Sequence, residues 1–515
     1  MAIKISGTTV IDDSRNVTDV ENVGDSNTVY YGNGANLTGI QAGSTTLTAS
    51  GAISNGDPVV INSNGTISSV AKTGTAGDGS AGSLAYFFNE RTTDPGIVYD
   101  PVNKKIVIAF ANDEAAEVGR AVVGTVSGTS ISFGDDVSLS TSATSSYDAV
   151  YDSANQKVVI VYQDADNSYR GTAIVGTVSG DSITFGSSVA FNGGTTYDIR
   201  ATYDSTNERV VIIYRDSAVS PNRGTAIVGT VSGNSITFGS EVTYNNALTS
   251  SMSVGFDSTN GKVVVAYRDG GDSNKGYAIV GTVSDTSISF GSEVKFEDAS
   301  ISQSDVIYDS TNGKIVIIYN DGGNSSYATA IVGTVSGTSI SFGTAVVYNS
   351  ASVSYPRGVF ASDSGKVVIS YEESSALKAI VGSVSGTSIS FNTEFTIDSN
   401  GTRLALGYDS DNGKAVVAAR IGNNSGRAAV ITPDGRTTNL TSENYIGIAA
   451  AAISDGASGS INIAGGINAS QSSLTAGKKI FVNSAGGVSE NNSFSPSVVA
   501  GTSISSTKIA VKTIV

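Results

Sequence analysis

Seven times the chain sets an aromatic residue, usually followed by Asp, ahead of a polar turn and an apolar run: Tyr99, Tyr151, Tyr203, Phe256, Tyr308, Phe360 and Tyr408, spaced by 52, 52, 53, 52, 52 and 48 residues. A period near 50 residues marks units that cannot bury their own faces and must stack on neighbours. Around Tyr203 each unit reads as four strands: an inner run (199–203), an apolar second run (210–214), a β-rich third run (225–231) and an alternating outer run (235–238). The second runs are Val/Ile throughout, with no polar side, so both faces must be covered. Asn260-Gly261, Asn312-Gly313 and Asn412-Gly413 after the inner runs, and Ser127-Gly128, Ser179-Gly180, Ser232-Gly233 and Ser336-Gly337 after the third runs, supply hairpin chemistry. This pattern predicts an all-β chain whose main body, residues 83–436, is a seven-bladed β-propeller.

Six repeats carry an outer run marked by Phe133, Phe185, Phe238, Phe290, Phe342 and Phe391. The seventh lacks one after residues 428–431, while an orphan run at 83–89 precedes the first inner strand. The expectation is that 83–89 is the closing strand, completing the last blade and removing a free edge.

Outside the repeats, residues 53–68 align without gaps to 474–489, sharing a Gly turn, three apolar residues, Asn-Ser-x-Gly, then an apolar residue and Ser. One small split β-domain, 45–72 plus 437–515, with the propeller inserted in it, accounts for both copies; two independent hairpins are the alternative. Residues 72–82 read as a Gly/Thr/Ser linker. Residues 1–44 form an N-terminal β-rich anchor segment too poor in apolar groups to make a core alone, and are expected to order against other chains.

The 515 residues include no Cys, His or Trp, and carry a formal charge of −16. Disulfides and thiolate metal sites are therefore excluded, and the usual proton shuttle and commonest zinc ligand are missing. The acidic balance argues against a nucleic-acid partner. Neither a secretory apolar core nor a run of membrane-spanning length is present, so membrane insertion is not expected. Asp409-Ser410-Asp411-Asn412-Gly413 resembles half a calcium loop, but Arg420 stands where the bidentate Glu belongs. Glu372-Glu373 and Asp135-Asp136 are adjacent and in strands face opposite ways, which suits no glycosidase pair. The reading is no enzyme, no cofactor and no metal.

The opening 1–16, the phrase Tyr31-Gly32-Asn33-Gly34-Ala35-Asn36-Leu37-Thr38-Gly39-Ile40, and the tail from Gly477-Lys478-Lys479-Ile480-Phe481 to Pro496-Ser497-Val498-Val499-Ala500-Gly501-Thr502 resemble virion fibre and appendage proteins of tailed phages, marine and cyanobacterial ones in particular. The resemblance covers about the first 40 residues and the C-terminal module, not the repeats. It implies a structural protein of the virion, assembled in the host cytoplasm, homotrimeric as phage fibres usually are, and bound to other virion proteins through its N-terminal segment. A tail- or head-fibre-like appendage would present the propeller to a host-surface glycan or protein; the alternative is an architectural capsid or tail decoration that recognises no host.

Comparing the repeats with one another separates two rims. The turns after the inner and third runs barely vary, whereas the loops between second and third runs differ in length and content. Loops on a rigid scaffold carry binding function. The residue three before each aromatic, on the variable rim, reads Gly96, Asp148, Arg200, Ser253, Asp305, Arg357 and Ala405. Asp148, Arg200, Asp305 and Arg357, with Tyr169, Arg223 and Tyr327 from the loops, are the candidate ligand-binding residues; the alternative for the first four is ion pairing between blades. Strand direction places both connections to the split domain on the repeated-turn rim, leaving the variable loops to point away from it.

Overall fold

The computed structural model describes residues 3–5, 8–11, 43–73, 77–114, 117–422, 424–434, 437–441, 443–483, 486–490 and 498–512. Every regular element among them is a β-strand. Contacts divide the chain into residues 1–42 and residues 43–515. In the first unit Ile3–Ile5 pairs antiparallel with Thr8–Ile11; the rest of the expected anchor, up to residue 42, lies outside the described residues.

In the second unit the repeat is clearest at Tyr203. The end of Val189–Asp204 pairs antiparallel with Arg209–Asp216, that strand with Arg223–Ser232, and that one with Ser235–Phe238. The start of Val189–Asp204 belongs to the preceding sheet, where Val189 and Ala190 face Ala173 and Thr172 on Arg170–Ser179. One continuous strand therefore serves as the outer edge of one sheet and the inner strand of the next. The sequence reading starts the inner strand only at Ile199; in the fold Asn192-Gly193-Gly194, whose composition suits a turn, lie within the strand. Val137–Asp152 and Val294–Asp309 make the same crossing.

The second strands are buried on both faces: Val210, Val211, Ile212 and Ile213 are all 0% exposed. Ile212 and Tyr214 share a cluster with Val159, Val161 and Val175 of the preceding sheet. This sheet-to-sheet packing, at about 1.5–3 kcal/mol for each large apolar side chain buried, is the main force holding the repeats together. Inner segments pack in sequence order, each beside the next, and Gly401–Asp409 packs beside Ala85–Asp100.

The Asp that follows the aromatic residue makes the turn. Asp204, 0% exposed, accepts the N–H groups of Thr206 and Asn207 at Oδ1, at 2.9 and 3.0 Å, and the Asn207 amide at Oδ2, at 2.8 Å. The residue two places after Asn207, Arg209, opens the second strand, and between them Glu208 takes φ +58° where other repeats use Gly261, Gly313 or Gly413. Asp409 holds its turn in the same way, accepting from Asp411 and Asn412. The segment that resembles a calcium loop is thus a hairpin turn.

A second device joins the outer edges. Gly186 donates to the Val175 carbonyl, breaking the outer strand, and a Cβ there would lie 1.8 Å from the carbonyl oxygen of Asn234 in the next repeat. Gly134, Gly239, Gly291 and Gly343 sit in the same contact. In the repeat that carries Asn392 instead, its side-chain amide reaches the Gly77 carbonyl at 3.1 Å and Thr393 N–H reaches Asp78.

At the chain ends of the repeats, Ser425–Thr432 pairs with Ser80–Ala81 and with Ala85, Tyr86, Phe88 and Arg91. The paired segment starts three residues before the orphan run read at 83–89, because Gly82 donates to the Val430 carbonyl as Gly186 does to Val175. Within the expected linker, Lys72–Thr73 pairs with Thr437–Thr438.

Two further five-stranded sheets flank these connections. One runs Ser44–Thr48, Ser458–Asn462, Tyr445–Ala449, Pro58–Ile61, Ile67–Ser69; the other Ile467–Asn468, Lys508–Val511, Val498–Ser505, Lys479–Val482, Val488–Ser489. The two aligned sequence copies form corresponding hairpins in them: Gly65 donates to Asn62 in one and Gly486 to Asn483 in the other. Val60, Tyr445 and Ile448 of the first sheet pack with Ile480, Val498 and Ile509 of the second. Lys72 Nζ meets Asp363 Oδ2 at 2.8 Å with both side chains nearly buried; Asp363 lies in the turn after an inner strand, at the repeated-turn end of the sheets.

Candidate functional site

Every inner strand kinks at the end opposite those turns. Register shifts interrupt the pairing between Ser145 and Asp148, Tyr197 and Arg200, Ser250 and Ser253, Ser302 and Asp305, Ser354 and Arg357, and Thr402 and Ala405. A bulge re-aims side chains. Here it puts Ser146, Asp198, Ser251, Gln303, Tyr355 and Arg403 at φ between +47° and +55°. These positions, five before each aromatic residue, carry five residue types in the six repeats named, Ser recurring at 146 and 251. The sequence reading missed them, since none is the Gly that would advertise a positive φ.

Two cavities follow from this geometry. The deeper, about 200 Å³, is lined by all the inner strands and contains Asp148, Arg200, Asp305 and Arg357. Four of the seven candidate residues are thereby brought together. Burial pushes the Asp148 carboxyl above its ordinary range, opposed by the Arg200 guanidinium, by the N–H groups of Ala201 and Ala149, and by Arg357. Asp305 is raised by burial in the same way, opposed chiefly by Arg357 and the Gly358 N–H. Asp148 Oδ2 accepts from Ala201 N–H, and Asp305 Oδ2 from Gly358 N–H, each at 2.9 Å across neighbouring inner strands. Arg200 and Arg357 each donate one Nη1 bond to the carbonyl just before them, Ile199 at 2.8 Å and Pro356 at 2.9 Å.

Above it opens a cavity of about 390 Å³, whose wall carries Arg200, Arg215, Arg268, Arg357 and Arg403. Arg215 and Arg268 come from the ends of second strands, just before the variable loops. Arg215 pairs with Asp198 at 3.2 Å and lies over the Tyr197 ring at 5.1 Å. Arg403 Nη1 donates to Thr93 Oγ1 at 2.9 Å. Farther out, burial and the like charges of Arg403 and Arg91 together lower the Arg420 guanidinium.

The remaining candidates lie apart. Tyr169 stands exposed in a second-to-third loop at φ +58°, while Arg223 and Tyr327 open third strands. None of the three lines either cavity. Among the described residues no cluster of carboxylates suited to a metal ion occurs.

These features define an all-β repeat protein with a polar, arginine-lined cavity at one end of its inner strands. No family model matches the sequence, and no curated protein does. Among solved structures it is similar to the β-propeller domain of Myceliophteria thermophila Cps50 (Swd1), at 10% identity and TM-score 0.44 over 67% of this chain and 98% of that one. It is also similar to AofleA from Arthrobotrys oligospora, at 12% identity and TM-score 0.41 over 65% of this chain and 94% of that one.

Proposed function

We propose that the repeats form a seven-bladed β-propeller carried on a split β-domain, 45–72 plus 437–515, and that the chain is a non-enzymatic structural protein of a tailed-phage virion that offers its variable rim to the host surface. The propeller reading is supported by the circuit of inner-strand contacts and by the pairing of Ser425–Thr432 with the segment from Ser80 to Arg91. The virion reading rests on the resemblance of the N-terminal phrases and C-terminal tail, which also suggests a homotrimer attached through residues 1–44. One observation carries the recognition role: Lys72, in the connection to the flanking sheets, holds Asp363 in a turn at the repeated-turn end, while the non-uniform bulge residues and loops occupy the opposite end.

The architectural alternative draws on the way Asp148 and Asp305 bind backbone N–H groups of the next inner strand, which is a structural use of those carboxylates. Particles carrying Tyr169, Arg223 and Tyr327 together as Ala separate the two readings. Reduced adsorption with normal assembly is the expected result; unchanged adsorption favours the architectural role. Locating the chain in density of the intact virion tests the virion reading itself.

A further inference from the structure

We infer that the 390 Å³ cavity at the channel mouth binds a single oxyanion carried on a sugar, a carboxylate or a sulfate ester, held by Arg268 and Arg200. The inference deepens the recognition role proposed above and rests on it. Charge is the first argument. The chain as a whole carries −16, yet among the described residues the two cavities, which share Arg200 and Arg357, gather five guanidinium groups against the three carboxylates of Asp148, Asp198 and Asp305. Concentrating like charge in a partly enclosed space is unfavourable unless an anion completes it.

Unused hydrogen-bonding capacity is the second argument. Arg268 Nε is buried with no hydrogen-bond partner, and its Nη1 has only a 3.5 Å contact with Ser250 Oγ. A buried guanidinium donor left unmatched is costly, and its planar fork suits the paired oxygens of a carboxylate or sulfate. Arg200 spends one donor on the Ile199 carbonyl, which fixes the group beside the same space.

The lining decides what carries the anion. Ser146, Ser251, Gln303 and Ser304 contribute hydroxyl and amide groups and Tyr355 an aromatic face, a set matched to a polyhydroxylated ring. The volume falls in the range of small-molecule pockets. A long polyanion such as nucleic acid would meet the acidic exterior, so the site takes one charged unit and not a charged strand.

The test uses the full chain with glucuronate, glucose 6-sulfate and glucose as probes, followed by saturation-transfer NMR titration at low and at 0.5 M salt. One or both charged probes should bind at least tenfold tighter than glucose, more weakly at high salt; which of them binds tells carboxylate from sulfate. Arg268→Gln and Arg200→Gln, each checked for an unchanged melting curve, should weaken the charged probes at least tenfold and leave glucose unaltered. Charged probes no tighter than glucose, or both variants within twofold of the native chain, overturn the inference. An array of neutral glycans keeps the two readings distinguishable: capture of a neutral glycan unaffected by Arg268→Gln sinks the anion site and spares recognition. No capture on the array, no probe binding and normal adsorption of particles carrying both substitutions sink recognition as well.

Discussion

Asp204→Ala offers the sharpest test of how the repeat is held. The carboxylate is fully buried and satisfies three donors, two backbone N–H groups and the Asn207 amide, at 2.8 to 3.0 Å. With a net worth of about 1 kcal/mol per hydrogen bond, and more for a charged acceptor, its loss should cost about 3–4 kcal/mol. Unfolding entropy near 2.1 cal/mol/K per residue, over the roughly 350 residues from Ser80 to Thr432, turns that into a fall of about 4–5 °C in melting temperature. Asp204→Asn keeps an acceptor for the backbone but turns an amide toward the Asn207 amide, and should lose about half as much. Calorimetry gives the global value, and hydrogen exchange at residues 205–209 shows whether the loss is local. If both variants melt within 1 °C of the native chain, the buried carboxylate is not what shapes the turn.

Gly186→Ala, which drives a Cβ to 1.8 Å from the Asn234 carbonyl, should cost about 1–3 kcal/mol; Gly180→Ala, at φ +59° but facing open space, should cost about 1 kcal/mol, and equal losses in thermal melts would refute the interlock. Asp363→Ala leaves Lys72 facing Lys414, whose ammonium burial already lowers, and should cost about 3–5 kcal/mol in denaturant unfolding; a loss under 1 kcal/mol contradicts the anchoring role of that pair. Because burial raises the folded-state pKa of Asp148 and Asp305 above the unfolded value, ionising these carboxylates costs stability: the penalty is full above the folded pKa, shrinks as pH falls below it and is gone below the unfolded pKa. Asp148→Asn, which turns an amide toward one of the backbone N–H groups that Asp148 binds, should therefore compare better with the native chain at pH 7 than at pH 4, and should tighten binding of glucuronate or glucose 6-sulfate; a variant less stable at pH 7 than at pH 4, relative to the native chain, reverses the assigned sign.

What could be read from residues alone was whatever repeats or alternates. The Val/Ile runs announced strands covered on both faces, and Val158 to Val161 and Val263 to Ala266 are indeed buried throughout. Asn-Gly and Ser-Gly pairs marked the hairpins, and the aromatic-Asp phrase marked the turn that Asp204 closes. The long crossing strands were not legible, since Asn192-Gly193-Gly194 carries the composition of a loop while its neighbours Phe191 and Ile199 are buried in the sheet-to-sheet core. The site was half legible: Asp148, Arg200, Asp305 and Arg357 stood out as charges at one fixed offset, but the bulge that sets Asp198, Gln303 and Arg403 beside them depends on backbone geometry that Ser, Asp, Gln, Tyr and Arg adopt without any common sequence signal. Arg215 and Arg268 were hidden for another reason: they end apolar strands and come to the cavity by pairing with Tyr197 and Ser250 at the bulges of their own inner strands.

The third strands Arg170–Ser179 and Arg223–Ser232 are identical, residue for residue. A genetic exchange between the segments that encode them would remove 53 residues in a single event and leave a third strand of unaltered sequence. Lys157–Asp164 would still pair with it on one side and Ser235–Phe238 on the other, as each does now. The ladders and turns of the remaining units would survive, and the packing of inner segments between units would have to change. Such a step would remove Val189–Asp204 and Arg209–Asp216, and with them Asp198, Arg200 and Arg215, so a change in the number of units would redraw the arginine-lined mouth.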